Sequence, residues 1–162
     1  EPANDAALVR CIESDDLSGF RSLIRGAWDR VIKIDPFVYG QPPLTLAITF
    51  GSRKIFACLL DRSADLDRKG DDNWTPLLEA ILQKRKAMTE SLLRHGADVE
   101  LPGGKATTWP LLQAMLADDP ELVRIVSAYS KPAYRRWASG VMPELRLRRQ
   151  SEIRAALGDP SD

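Results

Sequence analysis

A motif that returns every 33 or 34 residues constrains this chain more than any other feature. Its best copy is Thr75 to Asp98, TPLLEAILQKRKAMTESLLRHGAD. Thr75 offers a side-chain oxygen to cap a helix, and Pro76 takes the first helical position, where no N–H is needed. Leu77, Leu78, Ala80 and Ile81 follow at helical spacing. A second segment carries Met88, Leu92 and Leu93, and Gly96 supplies the positive φ that a helix end favours. Two helices this short cannot bury their apolar faces alone, so they imply stacked neighbours.

Those neighbours are present. Thirty-three residues back, Pro42-Pro43-Leu44 falls under Thr75-Pro76-Leu77, Ala47 under Ala80, and Leu59-Leu60 under Leu92-Leu93. Ser63-Ala64-Asp65 falls under Gly96-Ala97-Asp98. Thirty-four residues on, Trp109-Pro110-Leu111 repeats the opening, followed by Ala114, Val123 and Val126. A period of 33 with a TPL-x-x-A opening and a GAD close resembles the ankyrin repeat, a helix–turn–helix with a β-turn finger. The expected fold is therefore all-α: a solenoid of stacked helix pairs occupying one domain, 1–162. The usual histidine after TPL is missing, replaced by Thr45, Leu78 and Leu112, so the stack diverges from the family consensus.

In chain order, 5–28 reads as a degenerate first repeat that caps the stack, with Cys11 at the repeat alanine and Leu23-Ile24 at the LL pair. The following segment is unusually apolar for a finger, with Trp28, Phe37 and Tyr39; Val31 to Ile34 is expected to be extended. The repeats 42–67, 75–100 and 109–130 follow. Gly51 sits in the turn of the first, and Lys84 replaces it in the second at some conformational cost. Pro132 to Trp137 is expected to be a short helix or turn. Pro143, 33 residues after Pro110, opens an expected capping helix over 143–157.

Composition excludes several functions. Lys plus Arg and Asp plus Glu both number 23, so net charge argues for neither nucleic acid nor membrane. No apolar run is long enough to span a bilayer. The chain begins at Glu1, so it is expected to be a segment of something longer. Cys11 and Cys58 lie in different repeats and make no disulfide framework; two buried, reduced thiols fit a cytoplasmic or nuclear protein. The single histidine, His95, precedes the Gly96-Ala97-Asp98 close and reads as a helix end. Gly103-Gly104-Lys105 lacks the spacing of a phosphate loop, and the acids Asp65, Asp67, Asp71, Asp72 and Asp98 read as turn residues. No enzyme, metal or cofactor is expected.

Function must then lie on the surface. The resemblance implies a concave groove formed by finger tips and the last turns of the first helices. It places Val38, Tyr39 and Gln41 on the first finger, with Thr49 and Phe50 below. Asp71, Asp72 and Trp74 lie on the second, above Leu82 and Gln83. Lys105, Ala106 and Thr108 lie on the third, above Leu116 and Ala117. Tyr39, Phe50, Trp74, Leu82 and Leu116 would form an exposed apolar stripe, which implies a partner. That partner is expected to be another protein or a peptide segment, bound by a monomeric adaptor, inhibitor or targeting domain. The alternative is a polyanion or nucleic acid held by 131–154, where seven Lys or Arg face two Glu and are interleaved with Tyr134 and Trp137.

Overall fold

Successive helix pairs stack side by side in the computed structural model. It describes residues 2–25, 40–62, 64–145 and 147–158, without the side chains of 2–5. The first pair is α1 (Pro2–Glu13) with α2 (Leu17–Leu23), and the second is α3 (Pro43–Phe50) with α4 (Arg53–Asp61). The third is α5 (Pro76–Leu82) with α6 (Lys86–Arg94), and the fourth α7 (Pro110–Leu116) with α8 (Pro120–Tyr129). The last is α9 (Pro132–Val141) with α10 (Gln150–Leu157), separated by a 3-10 turn, Met142–Glu144. Among the described residues there is no strand; one isolated antiparallel bridge joins Gly103 to Thr108.

Local chemistry sets these boundaries. Proline opens α3, α5, α7, α8 and α9, where its missing N–H costs nothing. Thr75 Oγ1 accepts from the Leu78 N–H at 3.2 Å, and Asp119 caps α8 through the N–H groups of Glu121 and Leu122. Within the first four pairs the chain reverses through a left-handed residue: Asp15, Gly51, Lys84 and Asp118, with φ of 52, 73, 53 and 53°. The next N–H then reaches back to the preceding helix. Asp16 donates to Cys11 O, Ser52 to Ala47 O and Arg85 to Ala80 O, each at 2.8 Å. That recurring bond places Cys11 at the same repeat position as Ala47 and Ala80.

The apolar faces meet between pairs as well as within them. First helices pack in a row, α1 on α3, α3 on α5 and α5 on α7, while α6, α8 and α10 pack in a second row. Ile12, Phe20, Ile48, Leu59, Ile81, Leu92, Met115 and Leu122 are sealed inside. Polar groups also cross from pair to pair. Asp15 accepts from the N–H groups of Lys54 and Ile55, at the start of α4. Asp118 does the same for Arg148 and Arg149, just before α10. The Ser52 hydroxyl donates to the Ile12 carbonyl. Fingers are joined by backbone bonds of 2.8 Å, from Asp71 N to Gly40 O and, 33 residues later, from Gly104 N to Asn73 O.

Three expectations need correction. Pro143 does not open a helix: it lies in the 3-10 turn that ends α9, and α10 starts only at Gln150. Its Ile153 and Leu157 are nonetheless buried, and α10 packs on α8. The segment from Pro132 is a full helix of ten residues. Cys58 is buried, but Cys11 is only half-buried, and burial together with the nearby Asp16 charge pushes its thiol pKa up. The expected extended piece at Val31–Ile34, with Trp28 and Phe37, lies outside the described residues.

Asp67 carries the pH dependence that is easiest to isolate. Its Oδ1 accepts from the Asp98 N–H at 2.8 Å. Burial raises its pKa, the charges of Asp98 and Asp65 add to the rise, and the Asp98 bond opposes it. The unfolded chain therefore loses this proton at lower pH than the folded one, and the ionised carboxylate is a cost at neutral pH. Asp67→Asn keeps the acceptor and removes the charge. We expect its melting temperature to exceed wild type at pH 7, with the gap closing as pH falls through the raised folded pKa and staying closed below about 4. A variant less stable than wild type at pH 7 would show that the charge is an asset.

Candidate functional site

The surface of interest begins where the first helices end. Ile48, Ile81 and Met115 are fully buried, and each next residue is turned by about 100° toward solvent. Two columns result. Thr49, Leu82 and Leu116 form one; Phe50, Gln83 and Ala117 form the other, each residue directly after its partner in the first. Phe50 is 42% exposed, Leu82 46% and Leu116 51%. These three side chains lie on successive helix pairs, where a buried apolar residue would otherwise be favoured.

Hydrogen bonds fix the polar members. The Thr49 hydroxyl donates to Glu79 Oε1 at 3.0 Å, and Gln83 Nε2 donates to the same oxygen at 3.0 Å. Arg85 Nη2 donates to Thr49 O at 3.2 Å. On the fingers, Gln41 Nε2 donates to Asp72 Oδ2 at 2.9 Å, while Asp72 Oδ1 accepts from the Trp74 N–H at 3.0 Å. Gln41 Oε1 and Thr108 Oγ1 are buried without a partner. Asp71, Lys105 and Ala106 are exposed at the finger tips, and Thr108 and Ala117 are half-buried. Val38 and Tyr39 lie outside the described residues.

Trp74 differs from expectation. Its ring does not stand free over the groove but lies half-buried against the next finger, with Cε2 and Cζ2 3.2 Å from where a Cβ on Gly104 would be. Gly104, at φ 75°, makes room for it. Gly103 is tighter still: a Cβ there would meet the Asn73 carbonyl at 2.5 Å. The glycine pair therefore lets two fingers close on each other with the indole between them.

Sequence reasoning missed two features. Glu79 is buried at the groove floor, 8% exposed, in the register position where the preceding pair has Leu46. A carboxylate in an apolar column was the available signal. The second is a cleft of about 320 Å³ lined by Trp109, Ala133, Tyr134 and Trp137, where α9 meets α7. There the Trp109 and Trp137 rings meet edge to face at 5.8 Å. At the basic end, Lys131 pairs with Glu100 at 2.7 Å, and Arg135 Nε is buried without a partner. Arg136, Arg148, Arg149 and Arg154 are exposed. His95 is exposed, with Nδ1 2.7 Å from Ser91 O. Among the described residues no group of three or more His, Cys, Asp or Glu is placed to hold a metal ion, and no helix is long and apolar enough to cross a membrane.

Helix pairs in two rows, hydrogen-bonded fingers and a lateral groove define a helical repeat solenoid. The family described as "Ankyrin repeats (3 copies)" matches residues 8–102, and the chain belongs to that family. The match begins within α1, so the first, divergent pair is included. No curated protein matches the chain. Ankyrin repeats are in general protein-interaction modules.

Because Trp74 packs on Gly104, truncation should cost stability as well as surface. Trp74→Ala is expected to lower unfolding free energy by about 1–2 kcal/mol, below the cost for a fully buried aromatic. Chemical denaturation checks this; an unchanged midpoint would mean the indole contributes nothing between the fingers.

Proposed function

We propose that this chain is a non-enzymatic binding module that grips a segment of another protein in its concave groove. The observation that carries this reading is the recurrence of a large exposed apolar side chain at the end of three successive first helices: Phe50, Leu82 and Leu116. Scattered exposed leucines need no explanation, but such a side chain at the end of each of three successive first helices does. Thr49, Gln83, Asp71 and Lys105 flank the row with hydrogen-bonding capacity, and residues 41, 72 and 108 belong to the same lining in the register of the repeats. An apolar centre with a polar rim is the usual anatomy of a protein interface. The module acts as an adaptor, inhibitor or targeting domain and works as a monomer. Its two free cysteines suit the reducing cytosol or nucleus. The basic segment 131–154 is less suited to a polyanion, since Lys131 is paired and Arg135 is half-buried.

The test pairs folding with binding. Leu82→Ser with Leu116→Ser should lower the melting temperature only modestly, because about half of each residue is already in water. Partner affinity should fall by about 1–2 kcal/mol for each anchor lost, roughly 5- to 30-fold. Partners captured from cell extract by wild type and lost by the double variant support the reading. Equal capture by both, or capture that disappears only on raising salt, would refute it.

A further inference from the structure

Resting on the groove reading, one residue points to the chemistry of the partner. Glu79 lies on the groove floor, and as a whole residue it is only 8% exposed. Both of its hydrogen bonds reach the same oxygen, Oε1, from Thr49 and Gln83, which are themselves groove-column residues. Oε2 accepts from no described residue, yet it is not among the polar atoms sealed from solvent. Glu79 makes no ion pair with a described residue. The neighbouring cation, Arg85, is engaged with the Thr49 carbonyl and packs beside Gly51.

This carboxylate has two neutral donors on one oxygen, and its other oxygen is left open to accept a cation. Stacking does not call for a charge here, because the preceding pair fills the position with Leu46 and the following one with Gln113. Phe50 and Leu82 stand exposed just beyond it, and the finger above carries the exposed Asp71. We propose that Glu79 is the specificity anchor of the groove and receives the Lys or Arg side chain of the bound protein segment. The methylene stem of that side chain lies along Leu82 and Phe50, and its ammonium or guanidinium reaches Oε2. The partner segment is therefore basic and apolar in close succession. A neutral apolar peptide would leave the carboxylate desolvated and unpaired, so the site selects against it.

The probe is a phage-displayed library of random 12-residue peptides, selected on the whole chain, with enriched peptides then synthesised. Glu79→Gln is the variant of choice: its Oε1 still accepts from Thr49 and Gln83, so melting should change little, and only the charge is removed. We expect the enriched peptides to carry Lys or Arg next to an apolar residue. Their affinity should fall by about tenfold or more in Glu79→Gln, as for loss of a desolvated charge pair. Changing that peptide Lys or Arg to Met should lower wild-type affinity similarly and have little further effect in the variant. Peptides that lack a basic residue, bind both forms equally and are weakened by Leu82→Ser would overturn this inference and leave the groove reading standing. A selection yielding only peptides indifferent to Glu79, Leu82 and Leu116, or no binder at all, would overturn both.

Discussion

No helix pair in this chain is self-sufficient, and the contact between successive pairs is what the remaining structure depends on. α5, for example, is seven residues long, yet its Leu77, Ala80 and Ile81 are wholly buried because α3 lies on one side and α7 on the other. Apolar contact alone would leave sliding freedom along such rows. Polar links remove it: Asp15 caps the start of α4, Asp118 holds the backbone leading into α10, and the Gly40–Asp71 and Asn73–Gly104 bonds lock neighbouring fingers. Each link spans about one repeat, so every pair is oriented by the one before it.

The same geometry explains why the groove exists. A first helix of seven or eight residues has about two turns, enough to send one face into the stack and to turn its last residues outward. Polar residues at those ends would satisfy the fold equally well. Phe50, Leu82 and Leu116 instead keep apolar surface in water, and an acid, Glu79, takes a buried position beside them. Neither choice is demanded by stacking, and both make sense when a second chain fills the row.

Much of the fold was legible because the period is written in residues with fixed mechanical roles. Proline at the helix starts, the buried LL pairs 59–60 and 92–93, and the left-handed residues Gly51 and Lys84 all appear where the spacing put them. The register of Cys11 with Ala47 was legible despite poor local similarity once Phe20 is set under Phe56, and both carbonyls accept the same turn bond. The C-terminal boundary was not. Pro143 has the right spacing, but Pro132 had already opened a helix that runs to Val141, so the later proline ends a pair's first helix where it was expected to begin one. Trp74 misled for a different reason: its sequence position is a finger position, and only the Gly103-Gly104 pair, 30 residues away, decides that the ring is covered. Glu79 went unremarked because helical periodicity counts a glutamate as surface, whereas Thr49 and Gln83 hold it under.

The central claim is that the row at the ends of α3, α5 and α7 is where another protein binds. Amide chemical-shift mapping of the labelled chain with a library-selected peptide tests it directly. The account predicts that the perturbed amides cluster at 49–50, 79–83 and 113–117, with the fingers at 71–74 and 104–108, and leave α10 unmoved. Perturbations confined to 131–158, with the groove silent, would contradict it.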